Sequence, residues 1–143
     1  MSKLDIYAKG STAVLQPNFK ISEFACNCGG RGCHITLHDP QLSEKLQALR
    51  LLCGKAITIN SGYRCAAHNE AVGGSANSFH TRGMAADIKA KGISPEELAR
   101  MAETVGFRGI GLYQSFVHVD TRPKKYFWNQ MIKKVVSTFQ NSK

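Results

Sequence analysis

Residues 116–120 carry the pattern that most restricts the fold of this chain, because apolar and polar residues alternate there from Val117 onward. Successive side chains of a β-strand point to opposite faces of the sheet. Val117 and Val119 are therefore expected to face the core, while His118 and Asp120 share the other face. A histidine held in this way projects from a rigid sheet, which is the placement that a metal site requires.

A second segment, residues 78–87, holds a histidine and an aspartate seven positions apart. Asp87 falls within residues 85–90, which predict a strand, and a carboxylate between apolar neighbours is costly unless it is paired or bound to a cation. His80 lies in the loop that leads into this strand, and Gly83 lets the loop turn tightly. Taken alone, each histidine is more often a surface or hydrogen-bonded residue. Together with His118, these residues offer two imidazoles and a carboxylate, the ligand set of a catalytic zinc ion with one open position.

The rest of the pattern predicts one α+β domain over residues 1–143, with a small antiparallel sheet and helices packed on it. Helices are expected from Asp39-Pro40 to Gly54, over residues 66–72, and from a capping box at Ser94 to Gly106. Strands are expected over residues 56–60, 85–90, 109–114 and 116–121. Residues 1–20 show little periodicity and predict an extended N-terminal arm, and residues 123–143 form a basic C-terminal segment.

The net charge of +9 favours a polyanionic partner, such as nucleic acid, an anionic membrane or an acidic cell wall. No nucleic-acid-binding motif accompanies the charge, so a specific nucleic-acid partner is not expected. Beyond Asp120 the chain has no acidic residue, and its basic residues there are Arg122, Lys124, Lys125, Lys133, Lys134 and Lys143. Two interpretations of residues 126–136 stay open. They form a terminal helix docked on the sheet, or a basic amphipathic surface that contacts anionic wall polymer or membrane.

The start of the chain lacks the apolar stretch of a signal peptide, and no apolar run approaches the roughly 20 residues that span a bilayer. We therefore expect synthesis in the cytoplasm, no transmembrane segment and no disulfide framework among the five cysteines. A group of soft ligands, Cys26, Cys28, Cys33 and His34, offers a second, structural zinc site. The alternative is a glycine-rich loop with reduced thiols.

Several motifs, in this order along the chain, resemble the M15 zinc peptidases. They are Ser61-Gly62-Tyr63-Arg64, Ser78-x-His80-x-x-Gly83-x-Ala85-x-Asp87, Gly111-x-Tyr113 and residues 116–120. Residues 18–26 are also similar to the start of a subgroup common in phages and prophages. The likeness runs from about residue 18 to about residue 122. The family includes D-Ala-D-Ala carboxypeptidases and phage endolysins that act on peptidoglycan, and its fold is shared with hedgehog signalling domains.

The resemblance implies roles for individual residues. It implies that His80, Asp87 and His118 bind zinc, and that Arg64 grips a substrate carboxylate or carbonyl. It also implies that Ser78 and Tyr113 contact the substrate.

The general base departs from the family pattern. Many members carry a glutamate three residues before the last histidine or a histidine two residues before it, where this chain has Ser115 and Phe116. Asp120 is then the nearest candidate. It serves as the base, or it is a carboxylate that orients a histidine, and both roles stay open.

The function implied is a zinc-dependent peptidase that cuts the stem peptide or cross-bridge of peptidoglycan. Its expected setting is a phage or prophage lysis protein, released through a holin-type pore, or a tail-associated hydrolase of the virion. The alternative is a non-catalytic, zinc-stabilised module that binds the cell wall or builds the virion. Arg64 and Ser78 favour the enzyme, because a purely structural zinc ion needs no substrate clamp.

Overall fold

The computed structural model describes residues 3–29 and 33–131. Within them a five-stranded sheet forms the centre of the molecule. Its strands are β5 (Ile57–Ser61), β6 (Ala85–Ala90), β7 (Gly109–Leu112), β8 (Val117–Asp120) and β9 (Tyr126–Asn129). Their order across the sheet is β5-β6-β8-β7-β9, and every neighbouring pair is antiparallel except β7 and β9, which are parallel. The predicted α+β class is confirmed.

Two helices cover one face of this sheet, α1 (Pro40–Cys53) and α3 (Pro95–Thr104), and a shorter helix, α2 (Ala66–Ala71), follows β5. The predicted ends of α1 are confirmed: the Asp39 side chain accepts a hydrogen bond from the amide of Gln41, and Gly54 closes the helix at φ 68°. At α3 the Ser94 hydroxyl accepts from the amide of Glu97. These caps satisfy backbone groups that the first and last turns of a helix leave unpaired.

The core lies between the helices and the inner face of the sheet. It includes Leu46 of α1, Leu98 of α3, and Val117 and Val119 of β8, each 1% exposed or less. The alternation in β8 thus places its valines as predicted, and His118 and Asp120 face the other side. One row of paired residues crosses that other face, in the order Ser61, Asp87, His118, Gly111 and Trp128.

Much of residues 3–20 is extended, as expected, and these extended parts are paired strands rather than a free arm. β1 (Asp5–Ala8) pairs with β4 (Ile35–His38), and β2 (Val14–Gln16) pairs with β3 (Phe19–Lys20), which leads into a 3-10 turn (Ile21–Phe24). Phe19 and Phe24 are each 1% exposed and anchor this segment in the core. Sparse apolar residues suffice here because strand pairing supplies the backbone hydrogen bonds.

The expected C-terminal helix is wrong over residues 126–129, which form the edge strand β9. Aromatic residues suit a half-buried strand, and the Trp128 ring fills the space that Gly111 leaves: a Cβ at Gly111 would lie 2.3 Å from that ring. Residues 130 and 131 are helical, and the rest of the expected helix, from residue 132 onward, lies outside the described residues. Among the helices that the structure describes, none is long and apolar enough to cross a membrane.

Candidate metal centre

Three side chains meet at the centre of the outer face of the sheet. His80 comes from a second 3-10 turn (Phe79–Arg82), Asp87 from β6 and His118 from β8. Asp87 Oδ1 lies 3.2 Å from His80 Nε2 and 3.2 Å from His118 Nδ1, and one ligand atom of each residue lies within 4.8 Å of the others. Zinc ligands at about 2.0–2.1 Å in tetrahedral geometry are separated by about 3.3 Å. The three residues implied by the resemblance therefore fit a zinc ion.

The outward nitrogen of each imidazole is held by a hydrogen bond. His80 Nδ1 lies 2.7 Å from the carbonyl oxygen of Gly62, which can only accept, so Nδ1 carries the proton and Nε2 is free to bind a metal. His118 Nε2 lies 2.7 Å from Asp120 Oδ2, which leaves His118 Nδ1 as the ligand atom. Histidine ligands of metal sites usually have such a partner, because it fixes the tautomer and the ring orientation.

The electrostatics keep Asp87 ionised. Burial raises the pKa of this carboxyl, but its interactions with the adjacent His118 and His80 side chains outweigh burial and hold the pKa well below its usual range. The Asp87 side chain also pairs with Arg64, whose Nη2 lies 3.2 Å from Oδ2. A carboxylate that stays charged at neutral pH is available to a cation.

Asp120 lies behind His118, on the side of the imidazole away from Asp87. It is fully buried, and its two oxygens accept from His118 Nε2 and from the Arg122 side chain, with Arg122 Nη2 2.6 Å from Oδ2. Burial raises the pKa of Asp120, but hydrogen bonds from His118 and Arg122 prevail and lower it to about 2. Of the two roles left open by the sequence, this geometry favours the carboxylate that orients a histidine.

Arg64 follows β5 and stands beside the candidate ligands with its three nitrogens engaged. Nε donates to Ser61 Oγ at 3.1 Å, Nη1 to Asn69 Oδ1 at 3.2 Å and Nη2 to Asp87 Oδ2 at 3.2 Å. One N–H on each terminal nitrogen remains for a ligand. The buried Asn69, on α2, was not among the residues expected from the sequence, because a single asparagine in a short helix carries no motif.

The other two expected substrate contacts, Ser78 and Tyr113, line the same cleft as His80, Arg64 and His118. The Ser78 hydroxyl accepts from the amide of His80 at 3.1 Å and so caps the turn that presents this histidine. The Tyr113 hydroxyl accepts from Trp128 Nε1 at 3.0 Å, which leaves its own proton free to donate into the cleft.

The sequence analysis missed Trp128 and misjudged Arg122. The Trp128 ring lies 5.0 Å from the His118 ring and forms part of the cleft wall. Arg122 was counted within a basic surface, but it is half-buried, pairs with Asp120 and stacks over Phe79 at 4.6 Å. The proximity of Arg122 to residues 116–120 was a signal in the sequence. Trp128 had none, since its position depends on β9.

A second cluster holds four sulfur atoms within 4.8 Å of one another, from Cys26, Cys28, Cys33 and Cys65. Three of the expected ligands, Cys26, Cys28 and Cys33, are thus in the cluster, but His34 is exposed and Cys65 takes its place. Cys65 is 32 positions beyond Cys33, and only the packing of the two segments brings it there.

Comparisons with known proteins agree with this arrangement. The peptidase M15 family profile matches residues 17–120. The peptidoglycan L,D-endopeptidase MepK of Escherichia coli strain K12 is 33% identical over 98 residues, which cover 62% of this chain and 54% of that protein. The probable peptidoglycan L,D-endopeptidase MepK of Haemophilus influenzae is 32% identical over 95 residues, 59% of this chain and 51% of that protein.

The zinc D-Ala-D-Ala carboxypeptidase of Streptomyces albus G is 45% identical over 67 residues, 46% of this chain and 26% of that protein. The chain thus spans about half the length of the MepK proteins and a smaller share of the carboxypeptidase. The matched family profile covers most of the chain, including His80, Asp87 and His118. On that match and this geometry, the chain belongs to the peptidase M15 family.

Proposed function

We propose that this protein is a zinc-dependent peptidase that hydrolyses peptide bonds in the stem peptide or cross-bridge of peptidoglycan. The observation that carries the proposal is the convergence of His80 Nε2, Asp87 Oδ1 and His118 Nδ1 on one point, beside the guanidinium of Arg64. Family membership supports the reaction class, and the similarity to proteins named for peptidoglycan cleavage supports the substrate.

When bound by these three ligands, a zinc ion supplies Lewis-acid chemistry, polarising a peptide carbonyl and activating water. The protein supplies the orientation. Gly62 and Asp120 fix the two imidazole rings from behind, and Arg122 fixes Asp120 in turn. Rings held by packing and hydrogen bonds do not need to reorganise when the substrate binds, which lowers the barrier to reaction.

The cleft wall supplies substrate contacts. Arg64 offers one N–H on each terminal nitrogen to a carboxylate or a peptide carbonyl, in the planar geometry that suits both oxygens of a carboxylate. Ser78 and Tyr113 offer hydroxyl protons from the same cleft. These donors suit the carbonyl and carboxylate oxygens of a peptide substrate.

A purely structural role for the metal is less well supported by this geometry. Structural zinc sites are closed by four protein ligands, whereas catalytic sites keep one position open. Within the described residues the group at this centre consists of three, His80, Asp87 and His118, and these residues line an open cleft.

The setting that we propose is a phage or prophage lysis protein or a tail-associated wall hydrolase. Its support is the similarity of residues 18–26 to the phage and prophage subgroup, together with a net charge of +9 that suits an acidic cell wall. Expression with and without a holin tests the lysis role. Lysis that needs both proteins supports it, and wall cleavage in extracts without lysis in cells contradicts it.

The activity is tested by incubating the zinc-loaded protein with purified peptidoglycan and analysing the products by mass spectrometry. His118→Ala removes a ligand, and His34→Ala is the matched control because His34 is exposed and outside the cleft. New fragments from the native protein and the control, absent with His118→Ala or after chelation, support the proposal, and their masses identify the bond. No fragments from folded protein with bound zinc, across several wall types, would instead indicate a binding module.

A further inference from the structure

Four of the five cysteines lie together at the end of the molecule where the chain enters α2. Cys26 and Cys28 follow the 3-10 turn Ile21–Phe24, Cys33 precedes β4, and Cys65 is the N-cap of α2. Cys26 and Cys33 are buried, at 5% and 6% exposure. None of the four forms a disulfide.

The spacing of the sulfur atoms is that of ligands around one ion. Cys26 Sγ and Cys65 Sγ are 3.7 Å apart, and all four sulfur atoms lie within 4.8 Å of one another. Four thiolates at about 2.3 Å from a tetrahedral zinc ion are separated by about 3.8 Å. A disulfide bond, by contrast, joins sulfur atoms at about 2 Å. The observed separation therefore matches shared coordination.

Hydrogen-bond donors point at these sulfur atoms. The amide of Cys65 donates to Cys26 Sγ at 3.3 Å, and the Lys9 ammonium donates to Cys28 Sγ at 3.3 Å. Donors and a cation around the sulfurs stabilise the negative charge of thiolates, as the outer partners of metal ligands commonly do. If these cysteines served only as small hydrophobic residues, a lysine ammonium at the edge of the cluster would not be required.

We propose that Cys26, Cys28, Cys33 and Cys65 bind one structural Zn²⁺ ion as four thiolates, and that this ion holds Arg64 in its position beside the metal centre. Tetrahedral coordination by four sulfur atoms is characteristic of zinc. Cys53 is not part of the site: it lies at the end of α1, and its sulfur atom is near the carbonyl groups of Arg50 and Lys55.

The link to Arg64 is short and covalent, because Cys65 is the next residue. Around it, the amide of Tyr63 donates to Phe24 O at 2.8 Å, and the amide of Arg64 donates to His80 O at 3.0 Å. Gly62, which accepts from His80, packs so closely that a Cβ there would lie 2.7 Å from Phe24 Cα. Residues 62–65 are thus held between the cysteine cluster on one side and the metal centre on the other.

The local packing explains why an ion is useful here. Besides the cysteines, the buried part of this cluster contains only Tyr63 among the described residues, and it is separate from the main core. Segments that cannot bury enough apolar surface are commonly held by a structural metal or a disulfide. The effect on Arg64 rests on the proposed function, whereas binding of the ion does not.

Cobalt tests the binding directly. Produced in cobalt-supplemented medium, the native protein should contain two metal ions and show the thiolate-to-metal charge-transfer band of a tetrahedral sulfur site. The band should persist in His118→Ala, disappear in Cys65→Ser, and be unchanged in Cys53→Ser and His34→Ala. Cys65→His should retain the second ion, because histidine is also a zinc ligand. One ion without a thiolate band in native protein, or an intact mass lower by two hydrogens from a disulfide, would overturn the proposal.

The positioning of Arg64 is tested in Cys65→Ser with the metal centre loaded. A displaced guanidinium should raise KM by about 10-fold or more, the value of one charge-assisted hydrogen bond, and Cys65→His should restore it. An unchanged KM in Cys65→Ser that has lost the second ion would overturn the positioning role. Because metal content and the cobalt spectrum are measured without substrate, failure of the peptidase proposal remains distinguishable from failure of this one.

Discussion

Asp120 and His118 share one face of β8, and the carboxylate lies directly behind the imidazole, with Oδ2 2.7 Å from Nε2. A Cβ at Gly109 on the neighbouring strand would overlap the Asp120 carboxylate, so the absence of a side chain there makes room for it. The two residues therefore act as one unit: Asp120 fixes the ring, and the ring presents Nδ1 to Asp87.

Asp120→Asn tests this unit. Loss of an outer carboxylate typically weakens metal affinity about 10–100-fold, and we expect that loss here, measured by competition with a chromophoric chelator. Glu103→Gln is the matched control, since Glu103 forms an exposed ion pair with Lys125 and should leave affinity unchanged. Unchanged metal affinity in Asp120→Asn together with lost activity would instead assign Asp120 as the general base.

Arg64→Lys tests the substrate clamp. Lysine keeps the charge but lacks the planar fork that contacts Ser61, Asn69 and Asp87 together. We expect kcat/KM on peptidoglycan fragments to fall about 10–100-fold, the effect of losing a hydrogen bond to a charged group. Arg100→Lys, on the exposed side of α3, should have no effect. Equal kcat/KM values in both variants would show that Arg64 does not bind the substrate.

Gly83→Ala tests the turn between His80 and Asp87. Gly83 adopts φ 71°, and a Cβ there would lie 2.3 Å from the carbonyl oxygen of Leu37. Gly73→Ala is the control, because Gly73 has φ 74° but nothing within 4 Å of the added atom. We expect Gly73→Ala to cost about 1–2 kcal/mol for the left-handed backbone alone. Gly83→Ala should lower the free energy of unfolding, measured in urea, by more than Gly73→Ala does. Equal losses in the two variants would show that the contact with Leu37 relaxes freely.

His38 gives a pH dependence of stability. It is 1% exposed, its Nε2 lies 2.8 Å from Ser43 Oγ, and its Nδ1 has no hydrogen-bond partner among the described residues. Ser43 Oγ lies 3.2 Å from the Pro40 carbonyl oxygen, which can only accept. The hydroxyl therefore donates to Pro40 and accepts from His38 Nε2–H. Protonation would then place an unpaired N–H at Nδ1, and burial lowers the pKa of His38 from 6.5 to about 4.

The sign of the effect follows from that shift. As pH falls below 6.5, the unfolded chain binds a proton that the folded chain rejects until about pH 4, so stability falls in this window by up to about 3 kcal/mol. This contribution to stability is fully present above pH 6.5. His38→Gln removes the titrating group, so unfolding measured across this range should lose this part of its slope. Parallel curves for native protein and variant would contradict the assignment.

Local patterns in the sequence predicted much of this fold. Asp39 and Gly54 marked the ends of α1 because capping uses side chains and backbone conformations within a few residues of the helix end. Residues 85–90 were predicted as a strand with the bounds that the structure shows. The alternation in residues 116–120 separated the core valines from the site residues, since the two faces of a strand follow from the chain itself.

Other features were decided only by contacts between distant segments. Residues 126–129 became a strand because the edge of β7 was open and Gly111 left space for Trp128. Cys65, rather than the neighbouring His34, joined the other cysteines because β5 and the 3-10 turn before Cys26 lie side by side.

The sequence by itself thus determined the helices, four of the five strands of the central sheet, the faces of β8 and the chemical types of the candidate ligands, because periodicity, capping and turn chemistry act over a few residues. The tertiary structure decided which atoms meet: which nitrogen of each histidine faces Asp87, what stands behind His118, and which thiol completes the cysteine cluster. These depend on how the strands and turns pack, which brings together residues far apart in the chain, such as Cys26 and Cys65, 39 positions apart.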